Sequence, residues 1–173
     1  MIRVMNATTK MITQPFMLPV TYLRASVFVI LSVLTPVVMH QFSISGVVFL
    51  PILFFTFFAA IRYGWAVGLL SAIASPLVSN MLIGMPPGII LYVVLAQCVV
   101  ISLLAGAFMQ NKFKISFLQI LAIIIAYQAT AVIIESFAFG FTNALHGFTT
   151  TIPGMLIQLF FFTLYSKYLT SRT

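Results

Sequence analysis

A chain of 173 residues, 62% hydrophobic and 5% charged, with a mean hydropathy of +1.21, lies far from the roughly 25% charge of soluble domains, which excludes an aqueous globular fold. Eight basic residues against one acid give a net charge of +7, but they are scattered at the ends of apolar runs, so no nucleic-acid surface is implied. The only cysteine, Cys98, lies inside an apolar run and excludes an internal disulfide and any multi-thiolate metal site. A membrane span needs roughly 20 apolar residues, so about six helices with short connections use the whole chain. The expectation is an all-α integral membrane protein, one six-transmembrane-helix bundle with no soluble domain.

Residues 1–21 contain Arg3 and Lys10 and are interrupted by Asn6, Thr8, Thr9, Thr13, Gln14, Pro15 and Pro19. They lack the hydrophobic core of a cleaved signal peptide and read as a tail or interfacial segment. Span 1 is expected at 22–39, ending in the uncharged His40-Gln41-Phe42-Ser43. Span 2, at 47–61, is short unless the Arg62 stem extends it by snorkelling. Span 3, at 64–82, carries Gly64, Gly68, Ala72 and Pro76 beside Ser71, Ser75 and Ser79, a small face of the kind that lets helices approach closely in lipid. The backbone groups freed by Pro76 must find partners in neighbouring helices. Span 4, at 86–109, opens on Pro86-Pro87, which suits a first helical turn. The basic connection Gln110-Asn111-Lys112-Phe113-Lys114 leads to span 5 at 115–139, a loop at 140–151, span 6 at 152–169 and a tail at 170–173.

Lysine and arginine accumulate in cytoplasmic connections. Arg3, Lys10 and Arg24 come at the start of span 1, Arg62 lies between spans 2 and 3, Lys112 and Lys114 between 4 and 5, and Lys167 and Arg172 at the end of span 6. The connections 1–2, 3–4 and 5–6 hold none. Both termini are therefore expected in the cytoplasm, with His40 and His146 outside, in a multi-pass protein of the cell inner (plasma) membrane.

Polar side chains inside a bilayer cost free energy and are functional suspects, although many serve only as interhelical hydrogen bonds. Glu135 lies roughly 31 Å beyond Lys114 along a helix, at the outer interface, with Gln128 two turns earlier on the same face and Tyr127 beside it. Gln97 falls near the midplane of span 4, with Tyr92 nearer the surface, and Gln158 in the outer half of span 6 on a face with Thr151, Gly154 and Met155. Three helices thus each offer a glutamine, which supplies donors and acceptors without charge and suits a heterocyclic or amide-bearing solute. The plainer alternative is that these glutamines bond to one another or to helix carbonyls. His40 and His146 read as loop histidines or, with Glu135, as a metal set whose spacing has no motif regularity. Asn80 and Gly84-Met85-Pro86-Pro87 read either as a pocket lid or as turn chemistry. The Gly64/Gly68/Ala72 face reads as internal packing or as a partner surface.

No GxxxxGK[ST] phosphate loop, Gly-x-Ser-x-Gly elbow or HExxH helix occurs. A single carboxylate side chain rules out two-carboxylate acid/base catalysis. Neither an enzyme nor a bound cofactor is expected.

The runs Phe49-Leu50-Pro51, Tyr63-Gly64-Trp65-Ala66-Val67-Gly68-Leu69-Leu70-Ser71, Ser75-Pro76-Leu77-Val78-Ser79-Asn80 and Gly84-Met85-Pro86-Pro87 resemble the central hairpin of the substrate-binding S components of energy-coupling factor (ECF) vitamin transporters, and Pro153-Gly154 with Gln158 resembles the start of their last helix. The resemblance covers spans 2 to 4 and span 6. It implies capture of a vitamin or related micronutrient at the extracellular face; the substrate-binding candidates there, chosen from their positions in the spans, are Gln97, Gln128, Glu135, Gln158, Tyr92, Asn80 and His40. It further implies docking on a transmembrane coupling subunit driven by two ATP-binding subunits. In that family alanines four apart on the first helix meet the coupling subunit; here Ala25 is followed four residues later by Val29, and Gly64 and Gly68 are the other docking candidates. Members often carry a histidine after Leu-Pro-Met in span 2, where this chain reads Leu50-Pro51-Ile52-Leu53, so that role does not carry over. With no basic residue expected in the outer half, a neutral or cationic ligand is favoured. The competing expectation is a structural or assembly subunit without its own ligand.

Overall fold

A computed structural model describes residues 18–41, 49–109 and 115–171. Six helices follow one another: α1 (Pro19–Gln41), α2 (Pro51–Tyr63), α3 (Trp65–Ile83), α4 (Gly88–Met109), α5 (Phe117–Phe139) and α6 (Phe141–Ser171), with no strand among the described residues. All but α2 are long and apolar enough to cross a membrane, so the chain is a multi-pass, all-helical membrane protein.

The short helix α2 is the centre of the bundle. Its 13 residues extend about 20 Å, less than the roughly 30 Å of a bilayer core. The span expected at 47–61 is thus a helix displaced toward the Arg62 end, and 42–48 lie outside the described residues. Pro51 opens it without needing an N–H partner, directly after Leu50 in the left-handed region at φ 51°. Helices α1, α3 and α4 pack on α2, and α1, α3, α4, α5 and α6 each pack on the next in an arc around it. Helix α6 reaches α2 through rings, with Phe57 and Phe162 centroids 4.2 Å apart and Phe54 and Phe162 5.3 Å apart. Leu53, Phe57, Ala59 and Ala60 of α2 are all buried.

Hydrocarbon tails are as apolar as leucine, so helix association in a bilayer depends on close packing and hydrogen bonds rather than on water exclusion. The small residues are placed accordingly. A β-carbon added to Gly68 would stand 2.7 Å from Ala60 Cβ on α2 and 3.3 Å from Ser102 Oγ on α4. One added to Gly106 would stand 2.3 Å from Trp65 Cβ. Gly68 is therefore spent inside the α2–α3–α4 contact, Gly64 is buried at the turn between α2 and α3, and Ala25 is buried with Phe28, Ala59 and Val67 between α1, α2 and α3. None of the three expected docking residues lies on an outer face.

Two connections consist of one residue each. Gly64 joins α2 to α3 at φ 89°, ψ 175°, and Gly140 joins α5 to α6 at φ 87°, ψ 154°, a region that only glycine occupies readily. The loop expected at 140–151 is therefore a correction: apart from Gly140 it is helical. Its polar side chains bond along the helix instead of breaking it, Asn143 Nδ2 donating to the Phe139 carbonyl at 2.7 Å and the Thr149 and Thr150 hydroxyls to the His146 carbonyl at 2.9 and 2.8 Å. Pro153, expected near the start of the last helix, lies well inside α6.

One end of the bundle gathers the start of α1, the Gly64 turn, the end of α4, the start of α5 and the end of α6. Arg24 stands over the Tyr63 ring, Trp65 faces Gly106, and the Ser166 hydroxyl donates to the Ile115 carbonyl. The opposite end carries the α3–α4 turn and Gly140.

Candidate functional site

Polar side chains are buried at matching depth on four helices. Measured from the Gly140 end at about 1.5 Å per residue, Ser75 of α3 lies about 12 Å down, Gln97 of α4 about 14 Å, Thr151 of α6 about 15 Å and Gln128 of α5 about 17 Å. All four are buried. The antiparallel α5–α6 hairpin sets the pairing between its two helices. Gln128 Nε2 donates to Thr151 Oγ1 at 3.0 Å, and the Thr151 hydroxyl donates onward to the Phe148 carbonyl at 2.9 Å. Two turns farther along α6, the Tyr127 phenol donates to Gln158 Oε1 at 3.0 Å.

These bonds leave each amide half used. Gln128 Oε1 and Gln158 Nε2 are buried without a hydrogen-bond partner, as are the Ser71 and Ser75 hydroxyls of α3 and the Ser32 hydroxyl of α1. Leaving such a group unsatisfied costs about 1–3 kcal/mol, so each is a standing demand for a partner. The three serines contrast with Ser26, Thr35, Ser102, Thr130 and Thr163, whose hydroxyls all donate to the carbonyl four residues earlier. The Gln97 side chain makes no hydrogen bond to a described residue, although it is only 5% exposed. Collectively the layer offers one free amide acceptor, a second amide in Gln97 and rotatable hydroxyls, with the free Gln158 donor about 10 Å deeper on α6. It carries no charge, and it can hydrogen-bond a solute displaying both N–H and C=O groups.

The other expected residues are dispersed. Glu135 is half-buried on α5 between this layer and the Gly140 turn, its carboxylate lying over Gly147, whose added β-carbon would stand 2.8 Å from Oε2. Tyr92 is 67% exposed beside buried Val93, so it faces out of the bundle at the depth of an interfacial aromatic belt. Asn80 Nδ2 donates to the Pro86 carbonyl at 2.7 Å and braces the α3–α4 turn, whose Met85–Pro86 peptide is cis. His146 is exposed, and the side chain of His40 lies outside the described residues. Gln158 falls about 26 Å along α6, deeper than its expected outer-half position, because the helix begins at Phe141. Cys98 is a packed thiol that accepts from the Thr56 hydroxyl at 3.7 Å.

Three participants escaped the sequence: Thr151 as partner of Gln128, Ser32, and Gly147 beneath Glu135. The signal for two of them was present, since Gly147 and Thr151 are four apart on one helix face, but their polar surroundings read as loop. No protein-family model, curated protein or solved structure matches the chain.

Proposed function

We propose that this protein is the substrate-capture subunit of a membrane importer of the ECF type, taking up a neutral or cationic vitamin-like solute that carries an N–H and a carbonyl group. The observation that carries this reading is the pair of half-used amides, with Gln128 Oε1 and Gln158 Nε2 buried and unpartnered inside the bundle. Such groups persist when a ligand completes them. Gln97, Gln128 and Gln158 are the hydrogen-bonding residues of this reading, and Glu135, the only acidic side chain, offers a counter-charge nearer the Gly140 end. A coupling subunit and two ATP-binding subunits would supply the energy. Their contact would fall on the lipid-facing surface of α1 or α6, since Ala25, Gly64 and Gly68 are interior.

The second reading is an assembly subunit without a ligand. It is favoured by the bonds Tyr127–Gln158 and Gln128–Thr151, which already tie α5 to α6. Native mass spectrometry of the gently extracted protein separates the two. A stoichiometric small molecule that is lost in Gln128→Leu, with helicity retained, is the expected result. A folded chain that stays empty when offered a panel of vitamins would overturn the capture reading in favour of assembly.

A further inference from the structure

The end of the bundle opposite Gly140 holds a second feature that the polar layer does not explain. Two guanidinium groups, from different helices, converge on one ring: Arg24 of α1 lies 4.8 Å from the Tyr63 centroid and Arg62 of α2 lies 5.2 Å from it. The two charges are thus within about one Debye length at 0.1 M salt, roughly 10 Å, where like charges repel measurably. The only acidic side chain, Glu135, is at the far end of α5, so no carboxylate side chain of the protein neutralises the charge gathered here. Attraction of each guanidinium to the ring face holds the pair in place without removing its charge. Arg62 is exposed, and Tyr168 near the end of α6 is half-exposed.

The surroundings describe the rest of the ligand. Helices α1 and α6 are the two ends of the arc and do not pack substantially on each other among the described residues. Between them lies α2. Its Phe58 reaches both, with its ring 5.9 Å from Phe28 of α1, 5.0 Å from Tyr165 of α6 and 6.0 Å from Phe161 of α6. Phe55, Phe58 and Arg62 succeed one another at helical spacing, so an apolar track on α2 leads directly away from the cationic pair. A double cation at an interfacial aromatic belt, continued by a half-exposed apolar track, matches an anionic amphiphile.

We infer that Arg24, Arg62 and Tyr63 form a binding site for the phosphodiester headgroup of an anionic phospholipid, with an acyl chain lying along Phe58 and Phe55 between α1 and α6. The inference is independent of the capture reading, because it uses neither the glutamines nor a transported solute. An acidic segment of a partner protein is the competing occupant, but it would make no use of the apolar track.

Trp65, the only tryptophan, lies two residues from Tyr63 at this end of the bundle and senses bromine bound there. The full-length protein is reconstituted in bilayers containing brominated phosphatidylglycerol or brominated phosphatidylcholine, and quenching of Trp65 fluorescence gives the relative affinity of the two lipids. A preference of about five-fold or more for phosphatidylglycerol is expected, the order that one or two interfacial basic residues supply. The double variant Arg24→Gln/Arg62→Gln should lose that preference with helicity unchanged. Removal of the same number of charges in Lys112→Gln/Lys114→Gln should keep it. Equal quenching by both lipids in the wild-type protein would overturn the site and direct attention to an acidic partner. A preference that survives in the double arginine variant, or that disappears equally in the lysine variant, would reduce it to diffuse surface charge and overturn it too. Inorganic phosphate should fail to displace the lipid at millimolar concentration; full displacement would reject the lipid as source in favour of a free phosphate.

Discussion

The Tyr127 phenol of α5 donates to Gln158 Oε1 of α6 at 3.0 Å, and both side chains are shut away from the bundle surface. In a bilayer such a bond is worth about 0.6 kcal/mol on average and at most about 2 kcal/mol, because the separated helices also find partners in lipid. Tyr127→Phe should therefore destabilise the protein by about 0.5–2 kcal/mol, read as a shifted unfolding midpoint in mixed detergent followed by circular dichroism. The paired change Tyr127→Phe/Gln158→Leu should cost less than the two single changes added together, since removing both polar groups leaves no orphan. Strict additivity would show that the two residues do not depend on each other.

Glycine substitutions should separate by what the new methyl meets. Gly106→Ala places a carbon against Trp65 Cβ and Cα and forces α3 and α4 apart, with an expected loss of about 1–3 kcal/mol. Gly147→Ala meets only the end of the Glu135 side chain, which can rotate away. Its unfolding midpoint should stay close to that of the wild-type protein, and a loss as large as that of Gly106→Ala would contradict the packing described here.

Asn80 is expected to act as a brace of the α3–α4 turn. Asn80→Ala removes the bond to the Pro86 carbonyl and should cost about 0.5–1.5 kcal/mol. Limited proteolysis should show faster cleavage near residues 84–87. An unchanged cleavage rate together with unchanged stability would mean that the bond contributes nothing to the turn.

Ligand occupancy should follow burial rather than side-chain chemistry. Gln97→Leu and Gln128→Leu each remove an interior amide and should lower occupancy about ten-fold or more, a single hydrogen bond to a ligand being worth about 1.4 kcal/mol. Tyr92→Leu changes an outward-facing ring and should leave occupancy as it was. Equilibrium binding of whichever compound co-purifies, measured on the three variants, checks the contrast. Loss of binding in Tyr92→Leu would place the solute on the outside of α4.

Much of this architecture is local in origin and so was readable in order along the chain. Apolar runs long enough to span a bilayer, broken by Gly64, by Gly84 through Pro87 and by the basic stretch ending at Lys114, determine that the protein is helical, that it lies in a membrane and where most of its helices begin and end. Where local reading failed, side chains had done something their composition does not announce. Thr149, Thr150 and Asn143 satisfy carbonyls of their own helix, so a polar stretch that resembles a loop extends α6 back to Phe141. That extension in turn moves Gln158 deeper and brings Thr151 to Gln128.

The depths of Gln97 and Gln128 could be estimated from the sequence, but not that of Gln158, nor the direction in which any of the three points. A helix that is apolar all round gives no amphipathic stripe by which to orient it. Only packing decided that Tyr92 points outward while Val93 points in, that Gly64 and Gly68 are consumed inside the bundle, and that α2 is the hub of an arc rather than one span among six. The same holds for the two arginines. Sequence alone put Arg24 and Arg62 at the same end of the protein, 38 positions apart, through the distribution of basic residues. Their meeting over one tyrosine ring required α1 to pack beside α2, a contact made by Ala25, Phe28 and Ala59 through shape, which no linear pattern encodes.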